Sequence, residues 1–195
     1  VPTAKIIRRT DVTLQTATDT ESFAARYANG EPQLVWTELV ADLETPVSAL
    51  LKLADDEQHS ILLESVEGGA VRGRYSILAF SPDLIWRCTG ESAEINRNAR
   101  TSPDMFEPME GRSLDLLSAL VDECRIEIPP ELPPMAAGLF GYFSYDAVRL
   151  MERLPDDNPD SIDIPDSVFF RPTIIAVFDN VADKVTLVTP VWADP

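Results

Sequence analysis

Short stretches of apolar and β-branched residues, separated by Pro, Gly, Asn and Asp, recur along most of the chain and predict many β-strands. The clearest pair is 167–178 and 184–191, which Asp179–Asp183 separates as a hairpin turn would. Gly90-Glu91 marks a second hairpin, and Ser81-Pro82-Asp83 is expected to break one strand from the next. Strands are predicted over 33–40, 60–66, 74–80, 84–89, 93–97, 138–145, 167–178 and 184–191, and a loop over 98–112.

Helical periodicity is confined to short segments between these strands. Helices are expected over about 21–29 and 146–154, and a third begins at Pro46 with Thr45 as its N-cap. The apolar stripe of that third helix consists of Val47, Leu50, Leu51 and Ala54. Ser113 is expected to cap a further helix that ends near Glu123, with a buried face of Leu114, Leu117, Leu120, Val121 and Cys124.

Runs of strands with a few helices predict an α+β fold, in which peripheral helices accompany antiparallel β-sheets. Of the 195 residues, 45% are hydrophobic, which is enough to bury the core of one large domain. We expect residues 1–33 to form an N-terminal lead-in with a short helix, and residues 34–195 to form the main region.

The charge balance restricts the partners of the chain. A formal net charge of −17 repels phosphate backbones and anionic lipids, so we expect neither nucleic-acid nor membrane binding. The sequence has no apolar stretch of bilayer length and no signal-peptide core at Val1–Asp11. A soluble cytoplasmic protein is expected, and its two cysteines, Cys88 and Cys124, are expected to be free thiols.

The sequence contains no motif of a self-contained catalytic site, although its 33 Asp and Glu residues leave acid–base or Mg²⁺ chemistry open. His59 is the single histidine, so a metal cluster built from several histidines cannot form. Gly68-Gly69 lacks the Lys-Ser/Thr of a phosphate-binding loop. The densest group of carboxylates, at 155–166, lies in a Pro-broken segment and is expected to be a solvated loop.

Two segments carry a more specific signal. The first is Leu62–Gly69 (LLESVEGG) with its continuation Arg72–Leu78 (RGRYSIL) and Asp83–Arg87 (DLIWR). The second is Ala137–Asp146 (AGLFGYFSYD), followed by Val148-Arg149 and Glu152–Pro155 (ERLP). In order and spacing they resemble the N-terminal region of anthranilate synthase component I. The similarity extends to Thr45–Ser48, Arg171–Thr173 and Phe178–Asn180, and covers about residues 34–191.

The resemblance implies a regulatory role for this region. In that family the LLES segment forms part of the L-tryptophan feedback site, so Leu63, Glu64, Ser65, Arg74 and Tyr75 are the expected tryptophan-binding residues here. The catalytic residues and the Mg²⁺ ligands lie in a C-terminal chorismate-binding half that this chain does not include. The implied partners are that half, L-tryptophan and a glutamine amidotransferase subunit (component II), and the isolated fragment is expected to be inactive.

Other interpretations remain open at this point. Glu64 and Ser65 should face opposite sides of a regular strand, so either the strand ends there or one of them acts through its backbone. Glu64 can instead pair with Arg72 or Arg74. The aromatic residues of 138–146 either pack in the core or form a contact surface. The related para-aminobenzoate synthase component I, and a freestanding amino-acid-binding domain, are the alternative identities.

Overall fold

The computed structural model describes residues 19–41, 43–54, 58–65, 73–155, 160 and 162–192. Its dominant feature is a single antiparallel sheet of eight strands, which confirms the α+β expectation. The strands are β1 (Gln33–Val40), β2 (Ser60–Glu64), β3 (Tyr75–Thr89), β4 (Ser92–Asn96), β5 (Glu107–Met109), β6 (Phe140–Phe143), β7 (Ser167–Asp179) and β8 (Lys184–Val191).

Strands β3 and β7 are long and divide the sheet into two parts. Tyr75–Phe80 of β3 pairs with β2 and with the C-terminal part of β7, which continues the sheet through β8 to β1. We call this part the first sub-sheet. The N-terminal part of β7 pairs with β6, and Ile85–Thr89 of β3 pairs with β4, which pairs with β5. These strands form the second sub-sheet.

The junction of the two sub-sheets corrects the expectation that Ser81-Pro82-Asp83 separates two strands. The chain continues as one strand, β3, with a shift in register between Pro82 and Leu84 and a positive φ of 54° at Ser81. Pro82 lies opposite Pro172, so neither residue has an N–H to donate across the ladder. The Thr173 hydroxyl donates to the Ser81 carbonyl at 2.6 Å and compensates in part.

Three apolar clusters pack on the sheet. The first includes Ile77, Ile85 and Ile175, and the third includes Leu78 and Phe178 on the opposite face of the first sub-sheet. The second, under α3, is built around the fully buried Trp86. The odd and even positions of β3 thus serve different clusters, as alternation along a strand requires.

The helices are α1 (Thr20–Ala28), α2 (Pro46–Leu53) and α3 (Ser113–Glu123). Thr45 caps α2 as predicted, but Val47 and Leu51 of its predicted buried stripe are exposed, while Ala49 and Ala54 are buried. The helix therefore lies on the sheet through its small residues.

Helix α3 begins differently from the prediction. Ser113 is the first helical residue and not the cap, and its hydroxyl donates to the Gly90 carbonyl at 2.9 Å. Leu117, Leu120 and Cys124 are buried as predicted, but Val121 is exposed. Only one narrow face of α3 therefore packs in the second cluster.

Two connecting segments also differ from expectation. The predicted loop at 98–112 contains strand β5, and the predicted helix at 146–154 is a shorter 3₁₀ helix over Tyr145–Leu150. The expected lead-in at 1–18, the last residue of the strand predicted over 60–66, the Gly68-Gly69 pair and part of the acidic segment, 156–159 with 161, lie outside the described residues. The division at residue 34 stays a prediction.

Cys88 and Cys124 are both buried and free, as expected. In the described parts of the chain no helix is long and apolar enough to cross a membrane.

Candidate functional site

The predicted tryptophan-binding residues lie at one end of the first sub-sheet. Strand β2 ends at Glu64, directly before Ser65, so the first of the two alternatives for this segment is the one observed. Leu63 pairs in register with Ile77 and so shares the sheet face of Tyr75, whereas Glu64 pairs with Ser76 on the opposite face. Of Glu64 and Ser65, only Ser65 lies beyond the end of β2, so the alternation of side chains along the strand does not fix its direction.

Ser65 is exposed and lies against Gly73, the residue before Arg74. A Cβ added at Gly73 would overlap the Ser65 hydroxyl and come within 2.7 Å of the Ser65 carbonyl oxygen. Glycine is therefore required at position 73 for this close approach. The contact brings Ser65 next to the Arg74-Tyr75 pair, as the resemblance implies.

Arg74 makes an ion pair with Asp179, the last residue of β7. Its Nε and Nη2 donate to Asp179 Oδ2 at 3.0 and 2.7 Å. The hydrogen bond from Arg74 is the main reason that the pKa of Asp179 lies below its ordinary value. The proposed pairing of Arg74 with Glu64 is therefore wrong, and Arg72 lies outside the described residues.

The turn between β7 and β8 holds Arg74 in place. Asn180 donates its backbone N–H to the Arg74 carbonyl at 2.8 Å and its side-chain amide to the Gly73 carbonyl at 3.3 Å. The Arg74 guanidinium lies 4.9 Å from the centroid of the Tyr75 ring, within cation–π range. Arg74 and Tyr75 thus form one fixed unit with Asp179.

A groove of about 440 Å³ opens beside this unit. The rings of Tyr75, Pro133 and Pro134 and the side chain of Leu132 provide apolar wall, and Lys184 pairs with Glu38 at 3.1 Å on the other side. Its volume suits a small ligand, and an aromatic wall beside charged groups suits an amino acid with a large apolar side chain.

Most of the residues that line the groove were not singled out from the sequence. The sequence assigned no role in a site to Pro130–Pro134, or to Asp179, which was predicted to begin a hairpin turn. Among the predicted residues, Arg74 and Tyr75 line the groove, while Leu63, Glu64 and Ser65 are absent from its lining. Ser65 adjoins it through Gly73.

Away from this site, burial shifts the pKa values of the histidine and of the two cysteines. Burial, followed by the charge of Arg87, lowers the pKa of His59. Burial raises the pKa values of both thiols, Cys88 and Cys124, which disfavours the reactive thiolate. Within the described residues no three His, Cys, Asp or Glu side chains converge as metal ligands.

The aromatic segment at β6 does not behave as the core interpretation predicts. Phe140 is buried, but Tyr142, Phe143 and Tyr145 are exposed, Tyr145 to 88%. The core interpretation is therefore correct for Phe140 and wrong for the other three, which leaves the contact-surface alternative.

Comparison with known proteins finds closely similar relatives. The chain is 51% identical over 175 residues to anthranilate synthase component 1 of Cereibacter sphaeroides, a match that covers 90% of this chain and 35% of the relative. The proteins of that name from Synechocystis and Thermus thermophilus are each 40% identical over 153 residues, which cover 77% of this chain and 29% and 30% of the relatives. The chain thus spans about a third of the length of the curated relatives it matches.

Two further comparisons add less. No known family profile matches the chain. The crystal structure of anthranilate synthase component I from Streptococcus pneumoniae matches with a TM-score of 0.47 and 24% identity, over 75% of this chain and 29% of that one.

Proposed function

This chain belongs to the anthranilate synthase component I family over the third of those proteins that it spans, and we propose that it is their N-terminal regulatory region. The complete enzyme would convert chorismate and ammonia to anthranilate and pyruvate for tryptophan biosynthesis in the cytoplasm. A glutamine amidotransferase subunit would supply the ammonia. This region would carry part of the inhibitor site and contribute no catalytic group.

The observation that carries this proposal is the meeting of Ser65 with the Arg74-Tyr75 unit beside an open groove. Bound tryptophan has an ammonium, a carboxylate and a large apolar indole. The Ser65 hydroxyl and nearby backbone N–H groups would donate to its carboxylate, and backbone carbonyls would accept from its ammonium, because Glu64 lies on the opposite face of the sheet. Tyr75 and Leu63 would contact the indole.

The Arg74 guanidinium is less available to the ligand than the resemblance implies. Because Asp179 already accepts two of its donors, a ligand carboxylate would have to compete with Asp179 for the guanidinium. We therefore assign Arg74 mainly to packing on Tyr75, and Ser65 to the polar recognition of the ligand.

Feedback inhibition would follow from a preference of tryptophan for one conformation of the complete enzyme. A ligand shifts such an equilibrium only by its differential affinity for the two states, so tryptophan must favour a state that binds chorismate poorly. Because binding coupling is reciprocal, chorismate should weaken tryptophan binding by the same factor.

Mg²⁺ would serve the complete enzyme through ligands outside this chain. The described residues offer no converging set of carboxylates, and two of the carboxylates that line the groove, Asp179 and Glu38, are already paired with Arg74 and Lys184.

The test measures tryptophan inhibition of anthranilate formation in the complete gene product. Ser65→Phe should raise the tryptophan concentration for half-inhibition by about tenfold or more while the uninhibited rate changes little. Ser92→Phe, at an exposed serine in β4 of the second sub-sheet, is the matched control and should leave inhibition unchanged. Full tryptophan sensitivity of Ser65→Phe would refute the site, and 4-amino-4-deoxychorismate as product would support the para-aminobenzoate alternative.

A further inference from the structure

The turn that joins β7 to β8 is braced by the Asp179 carboxylate. Its Oδ1 accepts the backbone N–H groups of Val181 and Ala182 at 3.0 and 3.1 Å, as the side chain of an Asx-turn does. Its Oδ2 accepts the two Arg74 donors at the same time. The backbone of Asn180, which lies between these bonded residues, is therefore held in one place.

Asn180 links this braced turn to the residues at the start of β3 through three hydrogen bonds. Its backbone N–H donates to the Arg74 carbonyl at 2.8 Å, and its side-chain Nδ2 donates to the Gly73 carbonyl at 3.3 Å. The same Nδ2 lies 3.4 Å from the hydroxyl of Ser76, which is buried. The side-chain amide thus bonds to the chain on both sides of the Arg74-Tyr75 pair.

The peptide that Asn180 holds is the one against which Ser65 lies. The backbones of Gly73 and Ser65 approach so closely that position 73 has no room for a side chain. Ser76, the other partner of the amide, lies directly opposite Glu64, the residue before Ser65. Asn180 therefore sets the position of the surface that supports Ser65.

The sheet itself does not depend on the Asn180 side chain. Strand β3 pairs with β7 from Tyr75 onward, and β7 pairs with β8 as far as Asp179 and Lys184, so the exposed Asn180 lies beyond the end of both ladders. Its φ is not positive, so alanine fits at this position without backbone strain. Replacement of Asn180 is expected to leave the sheet intact and to loosen the Gly73 peptide.

We propose that Asn180 is a positioning residue of the candidate tryptophan site, where it holds the Gly73 peptide against Ser65. This inference rests on the proposed function, because it specifies how the same site is kept in its binding form. Asn180 acts through Gly73 and contacts no ligand atom. Its loss would allow the Ser65 hydroxyl to move away from the ligand carboxylate, and a site that must first be ordered binds its ligand more weakly.

The test compares variants of the complete gene product. Asn180→Ala removes the side-chain donor, and Asn180→Asp replaces it with an acceptor of the same shape that repels the Gly73 carbonyl. Both should raise the tryptophan concentration for half-inhibition by about three- to tenfold, the equivalent of one hydrogen bond. The kcat and the KM for chorismate should stay the same. Val181→Asp, at a 70% exposed side chain in the same turn, adds the same charge and is the matched control.

Weaker inhibition in both Asn180 variants, with unchanged kcat, KM and thermal unfolding and with Val181→Asp equal to wild type, would support the positioning role. Unchanged half-inhibition in Asn180→Ala, or equal weakening by Val181→Asp, would overturn it. A loss of kcat or of folded protein that accompanies the loss of inhibition would also overturn it, because it shows a general structural role.

The wild-type enzyme and Ser65→Phe are measured alongside these variants. Resistance of Ser65→Phe together with full sensitivity of Asn180→Ala refutes only the positioning role. A wild-type enzyme that makes anthranilate but is insensitive to tryptophan refutes the proposed regulatory function itself.

Discussion

The ion pair between Arg171 and Asp83 is expected to stabilise the junction of the two sub-sheets. Arg171 Nε and Nη2 lie 2.8 and 2.9 Å from the two carboxylate oxygens of Asp83, and the side chains are only 15% and 26% exposed. The guanidinium also lies 4.5 Å from the Trp192 ring centroid. Arg171→Met removes both contacts while it keeps an apolar side chain of similar length.

The expected cost follows from this burial. Breaking a fully buried pair costs about 3–5 kcal/mol, whereas an exposed pair contributes about 0–1 kcal/mol. The partial exposure of Asp83 lets water solvate the carboxylate that is left unpaired, so we expect about 2–3 kcal/mol for Arg171→Met. The double variant Arg171→Met with Asp83→Asn should recover about 1 kcal/mol or more, because it leaves no unpaired charge.

Urea unfolding at equilibrium, followed by circular dichroism, measures these differences in the free energy of unfolding. Arg125→Met is the matched control, because Arg125 pairs with Asp122 three residues away and the two side chains are 77% and 64% exposed. It should cost less than about 0.5 kcal/mol. Equal destabilisation by Arg171→Met and Arg125→Met would refute the role assigned to the junction.

Three further expectations concern the site and the helix beside it. Gly73→Ala should relieve tryptophan inhibition in the complete enzyme while activity is retained, because the new Cβ displaces Ser65; unchanged half-inhibition would show that the contact is unimportant. Asp179→Asn should be destabilised relative to wild type at neutral pH, and the gap should close as pH falls below about 3.9. The sign follows because a lowered folded-state pKa stabilises only where the carboxylate is ionised, and a gap that persists in acid unfolding curves would contradict it. Thr45→Ala should cost about 1 kcal/mol in urea unfolding, since it removes the N-cap of α2; a loss near zero would contradict the cap.

Local patterns were sufficient to predict several elements of the fold. The hairpin of β7 and β8 was predicted because two β-branched stretches flank a turn of Asp and Asn residues. The start of α2 was predicted because Thr45 and Pro46 act on the backbone next to them. In both cases the residues that decide the structure are neighbours in sequence.

The continuity of β3 depends on contacts that no local pattern contains. Pro82 ordinarily ends a strand, but here it faces Pro172, which is also unable to donate. Arg171 lies 88 residues from Asp83, and their ion pair stabilises β3 as one continuous strand with a register shift. Such long-range compensation is invisible to a window of a few residues.

The candidate site also combines residues that the sequence predicted with residues that only long-range contacts bring to it. Family resemblance identified Ser65, Arg74 and Tyr75, which the structure brings together at the end of the first sub-sheet. It did not reveal Asp179, which lies 105 residues from Arg74, or the proline segment that forms the opposite wall of the groove. The resemblance gave Arg74 as a tryptophan-binding residue, whereas in the structure its guanidinium already donates to Asp179.

Calorimetric titration of L-tryptophan into the complete gene product tests the regulatory assignment most directly. Saturable binding that chorismate weakens, and that is lost in Ser65→Phe but kept in Ser92→Phe, is the predicted result. Absence of binding to the wild-type protein, or equal affinity in Ser65→Phe, would contradict it.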